Sequence, residues 1–448
     1  MKIKLFVLLM VLGLVLTACS GGSTPTANPS ANEEPAAGEP EVAGETTVIR
    51  VWAHQNNSFN QADQALIDQF VKDNPGVEIK FETFPWDVFI QTIQTSIPAG
   101  NAADIIQLPG GYTCRYATGG QLLDVPADVM SQEAAGEFFF EAPLGGQTCD
   151  GKLYGFPVEY NIEYGGAYVN SSLFEAAGVT YPPVWENWDA VVADAAKLKQ
   201  VGSDGVMTVA GMHYTNSDQL YTYFLAGILE QGAEYFADDG LHFNFNSPEA
   251  VATIQKLMDM AQIDQIVDPV IFNAESEWVG ESFAQGHNAI GILGSWYAGE
   301  ARIAYPDLQF DYVTLPPMMG PEHKFSSVGG WGIVVSKSTQ HADIAWKLAA
   351  FMGANQQSAF AFNTTTGTIP AVKAVASDPK LLESAPFLAS VLPILDAGQY
   401  QGNMTDADQL AYEIIYPNIL AAIQGSQTAQ ETADNINTEA NAMVDASQ

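Results

Sequence analysis

Residues 48–111 read VIRVWAHQNNSFNQADQALIDQFVKDNPGVEIKFETFPWDVFIQTIQTSIPAGNAADIIQLPGG, and this stretch decides the fold. Val48-Ile49-Arg50-Val51-Trp52 is rich in the residues that suit a pleated strand. Ala62, Ala65, Leu66, Phe70 and Val71 then recur near helical spacing until Asn74-Pro75-Gly76 stops the run. Val77-Glu78-Ile79-Lys80-Phe81 alternates as a strand, residues 86–97 are helical again up to Pro98, and residues 103–108 form a third strand closed by Pro109-Gly110-Gly111. The order strand, helix, strand, helix, strand predicts a parallel sheet with helices on both faces, an α/β fold. Open sheets of this kind bind ligands beyond the carboxyl ends of their strands. That rule points to His54 and Gln55 after the first strand, Phe84 to Trp86 after the second, and Pro109 to Tyr112 after the third.

Outward from this core, residues 188–199, 248–261, 342–352 and 410–423 carry helical patterns, and strand-like runs recur at 289–293, 310–315 and 332–335. No internal repeat is visible. Residues 24–45 are mostly Pro, Ala, Asn, Glu, Gly and Thr, which cannot bury enough apolar surface to fold, so they read as a disordered tether. The roughly 400 residues that follow exceed what one core usually serves, and two domains are expected.

At the amino end, Lys2 and Lys4 precede an apolar run from Leu5 to Leu16, too short for the roughly 20 residues that cross a bilayer. Leu16-Thr17-Ala18-Cys19 resembles the lipobox of bacterial lipoproteins. The resemblance implies a signal peptide over 1–18, a diacylglycerol on Cys19, and a chain held outside the cytoplasm at the outer face of the cell membrane. An ordinary secretory signal in which Cys19 is incidental is the alternative. With Cys19 lipidated, Cys114 and Cys149 remain, and an even remainder in an oxidising compartment favours a disulfide over two buried thiols.

The net charge is −36, from 52 acidic and 16 basic residues, with arginine only at positions 50, 115 and 302. Such a chain repels nucleic acid and anionic membrane surfaces, and it lacks the Arg clusters that hold anionic ligands. The six histidines show no metal-ligand spacing, so no metal and no cofactor are expected. Neither a Gly-x-Ser-x-Gly elbow nor a His-Glu-x-x-His helix is present.

Further motifs follow in a fixed order: Gly100-Asn101-Ala102-Ala103-Asp104, Leu122-Leu123-Asp124-Val125, and Lys152 to Glu159 leading into Gly166 to Asn170. Then come Leu173 to Gly178, the pair Pro182-Pro183, Trp188, Phe283 to Ile290 before Gly294-Ser295-Trp296, and Gly329-Gly330-Trp331-Gly332-Ile333. Together they resemble the family 1 extracellular solute-binding proteins, the maltose-binding-protein-like receptors of ABC sugar importers. The resemblance implies a periplasmic-binding-protein-like fold, two α/β lobes joined by a multi-crossing hinge with the ligand cleft between them. Lobe one is expected at 46–158 plus 332–368 and lobe two at 159–328 plus 370–448. It further implies a non-enzymatic, monomeric receptor whose partners are a small carbohydrate, the permease subunits of an ABC transporter, and the membrane through its lipid anchor alone.

A neutral sugar needs planar donors and acceptors for its hydroxyls and aromatic platforms for its C–H faces. His54, Gln55, Asn56, Asp104, Gln107, Glu159 and Asn161 are candidates for hydrogen bonding, and Trp86, Tyr112, Tyr160, Trp296 and Trp331 for stacking. Trp331 interrupts a glycine run where a large ring has little core to fill, although it could instead pack the hinge. Trp296 could equally be a core ring, Glu159 a solvated hinge carboxylate, His54 a satisfied strand-end residue, and Asp104 a turn cap. Around Leu108 to Tyr112 the chain departs from the acidic and basic sugar contacts of the maltose receptor, which leaves the identity of the sugar open. A polyamine or other small polar solute, a surface-anchored glycoside hydrolase and an adhesin are the other readings.

Overall fold

The computed structural model describes residues 46–273 and 278–447. Cys19 and the whole of the expected tether lie outside the described residues. Strand β1 (Thr47–His54) is followed by helix α1 (Asn57–Asp73), β2 (Val77–Phe84), α2 (Trp86–Ser96), β3 (Ile105–Pro109) and α3 (Gly110–Thr118). β1 pairs in parallel with both β2 and β3. Two later strands complete this sheet, so that its order is β2, β1, β3, Trp331–Val335, Gly155–Pro157, and Trp331–Val335 runs antiparallel to both of its neighbours. A second five-stranded sheet runs Phe310–Thr314, Gly166–Asn170, Asn288–Gly291, Met207–His213, Gln200–Val201.

Each sheet has its own core. Ile49, Val51 and Ile105 of the first sheet pack with Phe59, Leu66 and Phe70 of α1 and with Trp346 and Phe362. Tyr168, Met212 and Ile290 of the second pack with Leu220, Phe224 and Leu257. At about 25 cal/mol per Å² of apolar surface removed from water, each core is a large stabilising unit, and the chain forms two α/β lobes. Among the described residues, no helix is long and apolar enough to cross a membrane.

Local chemistry sets the edges of these elements. Asn56 does not face the cleft as a free amide. It caps α1, its Oδ1 accepting from the N–H of Phe59 at 3.0 Å and from the hydroxyl of Ser58 at 2.9 Å. Pro109-Gly110-Gly111 does not end in a plain turn either: a helix begins there, because Pro109 leaves the strand and the first helical N–H groups need no intrahelical partner. A β-carbon on Gly110 would lie 2.4 Å from the carbonyl oxygen of Val328, so only glycine permits that approach.

Three chain crossings lie side by side between the sheets. The N–H of Val158 donates to the carbonyl of Trp331, and that of Tyr160 to the carbonyl of Ile369, at 2.9 and 2.8 Å. The N–H of Gly110 reaches the carbonyl of Gly330 at 2.8 Å. After the third crossing, Ala371, Val372 and Val375 still belong to the first core, whereas Leu381 and Leu388 belong to the second. Ile369, just before Ala371, packs in the second core, so this crossing alternates between the two cores. Cys114 of α3 and Cys149 are joined by a disulfide.

Candidate functional site

The carboxyl ends of β1 and β2 and the start of Trp331–Val335 converge on an aromatic wall. The His54 and Trp331 rings stack at 4.0 Å between centroids and 7° between planes. Trp86, the first residue of α2 and 45% exposed, stands edge-on to Trp331 at 5.9 Å and 82°. Phe89 tilts against Trp331 from below at 6.0 Å. Two glycines in the left-handed region, Gly329 and Gly330, precede Trp331, and a β-carbon on Gly330 would press on the carbonyl of Glu159 at 2.9 Å. Burial lowers His54 to about 4, with neighbouring Gln107 opposing, so the ring that backs Trp331 is neutral near pH 7.

Residues 159–163 form the floor between the lobes and hold a carboxylate under each wall. Glu159 is buried, and its Oε1 accepts a long hydrogen bond, 3.4 Å, from the backbone N–H of Trp331. Burial pushes its carboxyl up to about 8; the Trp331 N–H opposes this and nearby Glu163 adds to it. Glu163 faces the second lobe. Its Oε1 accepts from the indole of Trp296 at 2.8 Å and from the amide of Asn161 at 3.1 Å, and its Oε2 from the N–H of Gly294 at 2.8 Å. Burial, then the charge of Asp218, raises Glu163 to about 7 against those three bonds. The Trp296 ring stacks on Trp278 at 6.1 Å and 19°, and Trp278 is 42% exposed. Asp218 lies in the first turn of the helix Ser217–Glu230, remains open to water on one side, and accepts from the hydroxyl of Tyr412 at 2.8 Å. Loss of hydration raises its carboxyl, with the Tyr412 hydroxyl opposing.

The lobes also touch at a lip. The Tyr112 hydroxyl donates to Asp408, and Arg115 of the same helix stands 3.9 Å from Asp406. On another side, the backbone and side-chain N–H groups of Asn57 donate to Glu300 at 3.2 and 2.8 Å.

Of the candidates, His54, Trp86 and Trp331 meet in one wall, while Asn161 and Trp296 meet through Glu163. Gln55 is exposed beside the first wall, with its backbone N–H on the carbonyl of Phe84. Glu159 is not a solvated carboxylate but a buried one beneath Trp331. Other candidates, besides the α1 cap Asn56, already have partners of their own. Asp104 precedes β3, at the amino end of the sheet, where its carboxylate accepts from the Arg50 N–H at 2.8 Å and the Thr339 hydroxyl at 2.6 Å. Gln107 is buried and donates to Asp63 at 3.1 Å behind the wall. Tyr160 is a core ring whose hydroxyl donates to the carbonyl of Leu395 at 3.1 Å. Tyr112 is a lip residue bonded across to Asp408 rather than an open platform.

Glu163, Asp218, Trp278 and Tyr412 were not singled out from the sequence. Glu163 had a signal, since it lies four residues beyond the candidate Glu159; the other three carry none, because their neighbours are distant in the chain. A depression of about 480 Å³ beside Trp185, His323 and Phe387 shares none of these residues. The arrangement supplies two indole faces, a neutral imidazole and several carboxylates, without a Lys or Arg beside either wall among the described contacts. It suits an uncharged or cationic guest with apolar faces.

The chain is similar to known proteins in sequence and in fold. A galactooligosaccharide-binding protein of Bacillus subtilis is 25% identical over 390 residues, 86% of this chain and 83% of the relative. An arabinooligosaccharide-binding protein of the same species is 25% identical over 364 residues, 80% and 77% of the two chains. Among solved structures, an ABC transporter solute-binding protein from Thermotoga lettingae, bound with alpha-D-tagatose, superposes with a TM-score of 0.73 at 17% identity, covering 89% of this chain and all of that one. An ABC substrate-binding protein from Listeria monocytogenes in complex with cycloalternan gives 0.73 at 20% identity, covering 89% and 99%. The model of the bacterial extracellular solute-binding proteins matches residues 56–359, and the chain belongs to that family.

Proposed function

We propose that this protein is the extracytoplasmic receptor of an ABC importer, which captures a mono- or oligosaccharide between its lobes and delivers it to a membrane permease. The supporting observation is the pair of indole walls, Trp331 on His54 and Trp296 on Trp278, facing a common floor at residues 159–163. Indole faces suit the C–H faces of a pyranose, and the amide and carboxylates suit its hydroxyls. A ligand that contacts both walls binds the closed arrangement better than the open one and so draws the lobes together. The same residues serve capture, so no turnover is expected. A lipid on Cys19 keeps the monomeric receptor within reach of its permease.

Asp218, open to the cleft, supports a second reading in which the guest carries a protonated amine, as a polyamine does. Thermal-shift and calorimetric titrations with arabino-, galacto- and malto-oligosaccharides, run beside spermidine and putrescine, separate the two, since bound ligand raises Tm by mass action. Saturable one-to-one sugar binding without products supports the receptor. Binding of amines alone transfers the proposal to that class, and release of shorter sugars overturns it in favour of an enzyme.

A further inference from the structure

Trp296 is the less supported of the two platforms. The Trp331 ring lies flat on His54 and against Phe89 and Trp86, whereas Trp296 has two more distant ring neighbours, the edge-on Tyr297 at 6.1 Å and the offset Trp278, itself half in water. What fixes the Trp296 indole in plane is its N–H bond to Glu163, and the loop beneath it is fixed by the second bond from Gly294. The flanking residues Ile162 and Tyr164 are both buried in the second core, so the Glu163 backbone cannot drift.

We propose that Glu163 is the positioning residue of the second wall, holding the Trp296 ring in the cleft as a carboxylate and releasing it on taking up a proton. Three donors converge on two oxygens, and a carboxylate can accept from all of them. The neutral acid turns one oxygen into a donor with reduced acceptor strength, which weakens the bonds it accepts from the indole N–H, the Asn161 amide or the Gly294 N–H. The charged and titratable groups around it are Asp218 from Ser217–Glu230, Glu159 on the same crossing, and the phenols of Tyr168, Tyr223 and Tyr312 from the elements packed behind it. No cation is among those groups, so of the described contacts only the three hydrogen bonds favour the Glu163 anion. Its raised carboxyl puts the exchange near neutral pH, with the hold complete well above that value and lost well below it.

The inference takes Trp296 as a ligand platform from the proposed function, but its test needs no ligand. Protein carrying 15N-labelled tryptophan is titrated across the range in which a carboxyl raised to about 7 changes state, with the Trp296 indole resonance assigned through Trp296→Phe. The resonance is expected to move in one step in the wild type, to stay fixed in Glu163→Gln, and to keep moving in Glu159→Gln. A pH-independent resonance in the wild type, or a step that survives in Glu163→Gln, overturns the proposal. Should Glu163→Gln fail to fold, Glu163→Asp is expected to titrate with a smaller displacement, and a displacement of wild-type size overturns the proposal as well. Sugar binding unaffected by Trp296→Ala would remove the platform while leaving this measurement to stand or fall alone.

Discussion

The lip contact between Tyr112 and Asp408 ties the two lobes together, and its weight can be worked out. Tyr112 lies on α3, which the disulfide to Cys149 ties to the first lobe. Asp408 precedes Leu410, which is buried in the second core. A hydrogen bond to an ionised acceptor contributes about 1.5–3 kcal/mol net. Asp408 is half-buried and keeps some water, so the lower end of that range, about 1.5 kcal/mol, applies. The Arg115–Asp406 pair, 3.9 Å apart with the guanidinium half exposed, adds about 0–1 kcal/mol. Removing the Tyr112 bond should thus cost the closed arrangement about a factor of 10 in population, since each 1.4 kcal/mol is tenfold. Any guest that needs both walls would then bind weaker by up to the same factor. The assay is a double-mutant cycle of Tyr112→Phe and Asp408→Ala in urea unfolding, followed by tryptophan fluorescence, with small-angle scattering of the same four proteins. A coupling energy of about 1 kcal/mol or more, with larger radii in the variants, is expected. Effects that add to within about 0.3–0.5 kcal/mol would refute the reasoning.

Trp331→Ala should weaken sugar binding more than tenfold, roughly 1.4 kcal/mol, by calorimetry, and an unchanged dissociation constant would remove that ring from the site. Burial raises Glu159 from an ordinary 4.5 to about 8, so between those values the folded state keeps a proton that the unfolded chain has lost. Stability attached to this group therefore declines as pH rises across that window, and Glu159→Gln should flatten the decline in Tm; an equal slope in the variant would contradict it. Gly330→Ala forces a positive φ on alanine and a 2.9 Å approach to the Glu159 carbonyl, and should cost about 1–3 kcal/mol in unfolding free energy. Cys19→Ser should leave ligand binding intact and move the protein from the membrane fraction to the medium.

Much of the fold was legible because it depends on local periodicity. The alternation at 77–81 and the helical spacing at 61–73 arise from burying one face of a strand or helix, and they hold whatever packs against them. The strand-end rule found His54 and Trp86 for the same reason, since the carboxyl end of a parallel strand is a position in the chain as well as in space. The rule could not tell which residues near those ends turn inward. Asp104 sits one residue before β3 and so falls at the opposite end from Pro109. Gln107 and Tyr160 carry polar groups that suit a sugar, yet neighbours from elsewhere in the chain, Asp63 and Leu395, already occupy them.

The sequence by itself determined the α/β class and the parallel course of the first three strands, because both follow from periodicity and backbone preferences within a few residues. Only the tertiary structure decided that Glu163 holds Trp296, that His54 backs Trp331 and that Tyr112 reaches Asp408. These pairs are separated by 133, 277 and 296 positions, obtained as 296 − 163, 331 − 54 and 408 − 112. A carboxylate's partner, hydration and charge are set by what folding brings within a few ångströms, and no pattern along the chain records that distance.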